Sequence, residues 1–144
     1  MLTRPPALVG EESSWLPRHR KSSGAARGRL RAFLSTIDKN ERLLEVGELV
    51  ISELVANAVE HARTPPGRLI EVRFEMVATD QLRIEVHDAS SEHPVIRPLA
   101  GDDDESGRGL CLVEALVTAW GCCPRPGGVG KFVWALIGPV EGKS

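Results

Sequence analysis

The 144-residue chain is 42% hydrophobic, enough for one domain with a single core and no disulfide or metal to staple it. Its net charge of −2 hides a split, because residues 1–40 hold eight Lys and Arg against three Asp and Glu (+5), which leaves −7 for the rest; this tilt is too weak to argue for nucleic acid. The three cysteines, Cys111, Cys122 and Cys123, form no C-x-x-C pair, and no apolar run approaches the ~20 residues of a membrane span or resembles a signal peptide, so a soluble cytoplasmic protein with no membrane segment is expected.

Residues 1–14, with Pro5, Pro6 and several small or charged residues, read as a flexible leader to a domain over 15–138, with 139–144 as a tail. From Ser22 to Ile37, Ala26, Leu30, Phe33, Leu34 and Ile37 recur at three and four, predicting a helix capped by Ser22 or Ser23. Asn40 can cap a second helix from Glu41 to His61, stopped by Thr64-Pro65-Pro66-Gly67. Leu69 to Val77 alternates Ile70, Val72, Phe74 and Met76 with polar residues. Leu82, Ile84 and Val86 do the same, and the short Ala78-Thr79-Asp80 link makes an antiparallel hairpin with one buried face.

Ala89 to Gly107 has no period and is rich in Ser, Pro, Asp and Gly, which is the mark of a long functional or mobile loop. Leu110 to Trp120 is apolar nearly all round, predicting a buried third helix that begins near Gly109 and ends at Gly121. Cys122 to Arg125, a Pro-Gly-Gly turn and Lys131 to Ile137 predict two short closing strands. The resulting fold class is α/β, an α+β two-layer sandwich: a mixed, mainly antiparallel sheet covered on one face by three helices.

Three features carry chemistry. On a wheel advancing about 100° per residue, Val46, Asn57 and Val50 fall within about 60° of Glu53, while Glu45, Glu48 and Ser52 cluster on the other side. Glu53 and Asn57 therefore point away from the solvated face, where a carboxylate requires either an arginine partner or a ligand. Asp88 ends the second strand of the hairpin and opens the long loop, as either a turn former or a ligand acceptor. In Ser106-Gly107-Arg108-Gly109-Leu110, two glycines precede a helix, either as a plain helix start or as a place where backbone N–H groups approach phosphate. His87 and His93 lack any metal-ligand constellation, His61 reads as a capping or supporting group, and Arg97 and the Asp102 to Glu105 run read as solvated loop.

Taken in order, the E-x-x-x-N helix, the strand ending in Asp, the long loop and the G-x-G-L helix start resemble the GHKL (histidine-kinase-like) ATP-binding superfamily. GRGLCLVEALVTAWG, with VWA near the end, looks particularly like its stand-alone anti-sigma-factor serine/threonine kinases. The resemblance covers roughly residues 15–137. It implies ATP and Mg2+ as cofactors, with Asn57 holding the metal, Glu53 polarising the attacking hydroxyl, and Asp88 receiving the adenine amino group. Ser90 would line the base and Gly107, Arg108, Gly109 and Leu110 would cradle phosphates under an ATP-lid loop. It further implies partner switching in transcription, with a sigma factor and an anti-anti-sigma (antagonist) protein as partners and a homodimer as the usual assembly, with no direct nucleic acid contact. An ATP-binding or degenerate sigma-factor-binding module without kinase activity is the alternative, and a plain ATPase or chaperone-like domain a weaker one. Two departures stand out. The family's D-x-G is Asp88-Ala89-Ser90 here, and its usual polar residue on the last strand, often Thr, is not evident in Lys131-Phe132-Val133-Trp134. Both imply reduced nucleotide affinity.

Overall fold

A computed structural model describes residues 10–37, 41–61, 69–88, 112–126 and 130–138. The elements run β1 (Gly10–Pro17), α1 (Ser22–Ile37), α2 (Glu41–His61), β2 (Leu69–Ala78), β3 (Gln81–Asp88), α3 (residues 112–116), β4 (Ala119–Pro124) and β5 (Lys131–Ile137). The strands form one five-stranded sheet in the order β1-β2-β3-β5-β4. Each of its four pairings is antiparallel, so the parallel component that a mixed sheet requires is absent among the described residues.

The pleat separates two chemistries. Ile70, Val72, Phe74 and Met76 of β2, Leu82, Ile84 and Val86 of β3, and Val133, Ala135 and Ile137 of β5 all turn to the inner face. There they meet Ala26, Leu30, Phe33 and Leu34 of α1 and Leu43, Val50, Ile51, Leu54, Val55 and Ala58 of α2. The Phe33 and Phe74 rings lie 5.7 Å apart and join the two layers. Gly47 lies where α2 comes closest to its neighbours: a Cβ there would sit 2.9 Å from Leu30 Cδ2 and 3.3 Å from Leu82 Cδ2.

The helix and hairpin boundaries follow the sequence periods closely, and three expectations change. Gly10 to Ser14, read as leader, belong to β1, which pairs with β2 from Gly10↔Met76 to Pro17↔Leu69. The serines at the start of α1 donate rather than only cap: Ser22 Oγ donates to the Pro17 carbonyl at 2.6 Å and Ser23 Oγ to the Ser52 carbonyl at 3.3 Å. The third helix ends earlier than expected and is more exposed over its described residues. Its last helical bond is Val117 N–H to the Val113 carbonyl, and the next residue, Thr118, donates instead to the Leu136 carbonyl of β5. Ala119 and Trp120 are therefore strand, and Gly121 lies inside β4 instead of ending a helix. Val113 is fully buried but Leu112, Glu114 and Ala115 are exposed. Asn40, the 64–67 stop, the 89–107 loop and residues 139–144 lie outside the described residues. Among the described residues no helix is long and apolar enough to cross a membrane.

Candidate functional site

The apolar stripe of α2 runs through Leu43, Val50, Leu54 and Ala58, while Arg42, Glu45, Leu49 and Glu60 are exposed. Glu53 and Asn57 occupy the shoulder between these arcs, one helical turn apart and half-buried. They flank the core instead of lying in it, so the severe penalty expected for a fully buried carboxylate does not arise. On this shoulder a carboxylate and an amide oxygen remain within reach of a ligand beside the core.

Asp88 is the last residue of β3 and stays in phase with Leu82, Ile84 and Val86, so its side chain points to the inner face and is buried. The register sets it directly opposite Lys131, the first residue of β5, which is in phase with Val133, Ala135 and Ile137. Lys131 Nζ donates to both carboxylate oxygens, at 3.1 and 3.0 Å, with the side chains 8% and 3% exposed. In a pair of this kind each partner offsets part of the other's desolvation. Lys131 was missing from the sequence-derived site. Its signal was available: it begins an alternating strand whose next three odd-numbered residues are core. Beside the pair on β4, burial pushes the Cys122 thiol up, although the Lys131 charge works against the shift. That thiol is accordingly poorly suited to act as a nucleophile.

Of the other expected site residues, Ser90, Gly107, Arg108, Gly109 and Leu110 lie outside the described residues, as do His93, Arg97 and Asp102 to Glu105. His87 is on the opposite face of β3 from Asp88. Its ring stacks on Phe132 at 4.6 Å and its Nε2 lies 2.8 Å from Glu85 Oε1.

That outer face bears a groove of about 310 Å³ lined by five glutamates, including Glu11, Glu71 and Glu85, against Arg73 and Arg83. Its excess of carboxylates repels a triphosphate, so the groove is not a nucleotide site despite its size. Around Glu85, burial acts to raise the carboxyl, but hydrogen bonds from His87 and Arg83 and their charges outweigh it and hold the group at about 2.

The sequence from 17 to 134 matches the family model described as a histidine kinase-like ATPase domain. The chain belongs to that family. A histidine kinase-like ATPase domain is an ATP-binding module of the GHKL type. Among solved structures, the histidine kinase domain of a blue-light-activated histidine kinase from Erythrobacter litoralis is similar at 21% identity and a TM-score of 0.49. The match covers 80% of this chain and 60% of that one. No curated protein matches.

Proposed function

We propose that this histidine kinase-like ATPase domain is a magnesium- and ATP-dependent serine/threonine protein kinase of the anti-sigma-factor type. It regulates transcription by partner switching, binding a sigma factor and phosphorylating a serine of an anti-anti-sigma protein, and works as a homodimer in the cytoplasm. The observation that carries the nucleotide part is the division of polar groups between α2 and the inner sheet face: Glu53 and Asn57 half-buried on one shoulder, Asp88 buried at the end of β3. The kinase and partner part is supported by the resemblance of GRGLCLVEALVTAWG to the stand-alone anti-sigma kinases.

The residues fit the group. Among the described residues no cluster of three or more His, Cys, Asp or Glu is placed to hold a metal. A hard cation at the Asn57 amide oxygen would accordingly take most of its ligands from phosphate and water, as magnesium does. Bound ATP would supply the phosphoryl group, and a magnesium ion at Asn57 would offset its charge. In this reading Glu53 would accept the proton of the attacking serine hydroxyl and Asp88 would receive the base amino group, while the glycines of Gly107 to Leu110, which lie outside the described residues, are the phosphate-binding segment that the resemblance implies.

A second reading, a sigma-factor-binding module that transfers no phosphate, is favoured by one feature: Asp88 already carries Lys131 on both oxygens. The deciding experiment incubates the protein with labelled ATP, magnesium and antagonist proteins encoded nearby. Transfer to a serine of one antagonist is the outcome expected of the kinase. Binding of both ATP and an antagonist without transfer would select the second reading.

A further inference from the structure

The inner-face pair at the ends of β3 and β5 offers more than a carboxylate. We propose that Lys131 reads the nucleotide base together with Asp88, and that the pair admits 6-oxopurine nucleotides, guanosine and inosine triphosphates, alongside ATP. The proposal rests on the nucleotide-pocket reading of the inner face.

A carboxylate alone only accepts hydrogen bonds, so it selects an exocyclic amino group and rejects a 6-oxo group, whose lone pairs would face its own. Here the carboxylate never stands alone. Lys131 Nζ lies 3.0 and 3.1 Å from its oxygens, fixed by a register in which Asp88 and Lys131 are direct cross-strand partners on the same face. An ammonium has three protons and no acceptor, and Asp88 takes two of them. Among the described residues no acceptor takes the third, which leaves it for an acceptor on a base at Asp88.

The two residues thus present an acceptor and a donor side by side, at about the separation of neighbouring groups on a base edge. Adenine matches with its 6-amino donor on Asp88 and ring N1 on Lys131. A 6-oxopurine matches equally after sliding by one group, with ring N1–H on Asp88 and O6 on Lys131; guanine adds its 2-amino group as a second donor.

The test is titration calorimetry of the full chain with ATP, GTP and ITP, for wild type, Lys131→Met and Lys131→Gln. Wild type is expected to bind ATP and GTP with affinities within ~10-fold of each other, since each base forms two good hydrogen bonds to the pair. Lys131→Met removes the donor and is expected to weaken all three nucleotides. GTP and ITP should weaken by ~30-fold or more because O6 is left facing a carboxylate, and ATP by less, ~5- to 10-fold, because it loses its N1 bond but keeps its 6-amino bond to Asp88. Lys131→Gln restores a neutral N–H donor, and should keep GTP within ~5-fold of wild type. A wild type that prefers ATP over both other nucleotides by ~100-fold or more would overturn the proposal and leave the nucleotide pocket standing. Unchanged GTP affinity in Lys131→Met, in a sample shown folded by circular dichroism, would reduce Lys131 to a strand-pairing residue and overturn it equally. Absence of binding by all three nucleotides would overturn both the proposal and the pocket. Should Lys131→Met fail to fold, wild-type selectivity and Lys131→Gln decide the matter.

Discussion

One turn of α2 separates Glu53 from Asn57, and the two side chains offer a ligand different things: a proton acceptor with a full charge and a neutral amide oxygen suited to a hard cation. On the proposed function their loss should have different consequences. Glu53→Gln keeps size and hydrogen-bonding capacity but removes the charge that takes a proton, so ATP binding should persist while phosphoryl transfer falls ~10²-fold or more. Asn57→Ala should lose both, since magnesium loses its protein ligand. A binding titration run beside a transfer assay checks the split, and full transfer by Glu53→Gln would remove that residue from its assigned role. At this scale the sequence exposed part of the proposed site and concealed another. Glu53, Asn57 and Asp88 were visible because each is a polar residue at a place where the local period calls for an apolar or structural one. The Asp88–Lys131 bond joins residues 43 positions apart, and it depends on which strands become neighbours, which no local period encodes.

At the scale of elements, no described helix covers the outer face of the sheet, which bears charge and aromatic rings. Glu85 on β3 takes hydrogen bonds from Arg83 at 2.8 Å and from His87, with Arg73 3.9 Å away, and Arg83 in turn lies 4.9 Å over the Trp134 ring. Because the folded carboxyl is held at about 2 against an ordinary 4.5, its contribution is fully present above about pH 4.5 and is lost as pH falls toward 2. The melting temperature of wild type relative to Glu85→Gln should therefore be constant from pH 7 to about 5 and fall steadily below that, as followed by circular dichroism. The same ring system accounts for a glycine. Gly121 is paired with Trp134, and a Cβ on it would lie 2.9 to 3.0 Å from the indole. Gly121→Ala should displace the ring and destabilise the fold by about 1–3 kcal/mol in urea titration, despite the better strand propensity of alanine. Elements with a clear period were legible to within a residue: α1, α2 and the β2–β3 hairpin. The run LCLVEALVTAW was not, because an apolar stretch suits a buried helix and a buried strand alike. Its partition was settled by β5, whose Leu136 carbonyl takes the Thr118 N–H and draws the following residues into β4.

Among the described residues the molecule is a sheet with one side packed on helices and the other bearing polar and aromatic groups, and β1 ties Gly10–Pro17 to that sheet. The segment GEESSWLP gave little sign of this, since only Trp15 and Leu16 are large and apolar, and Trp15 is 55% exposed. An edge strand with one inward apolar side chain looks like a polar leader until its partner is known. Yet β1 pairs with β2 at eight positions, buries Leu16 against the core, and receives the Ser22 hydroxyl at Pro17, which anchors the start of α1. Removing residues 1–17 should therefore behave as damage to the domain, unlike the trimming of a leader. The deletion strips Leu16 from the core and leaves the β2 edge unpaired, changes that together amount to a few kcal/mol. For a domain of this size that corresponds to a fall of about 10 °C in melting temperature, with a lowered urea midpoint. The control is Leu16→Ala in the full chain, which keeps the strand and loses only the side chain; it should recover part of the stability but not all. A deletion variant that melts like wild type would show that the sheet stands without β1 and that the domain begins at α1.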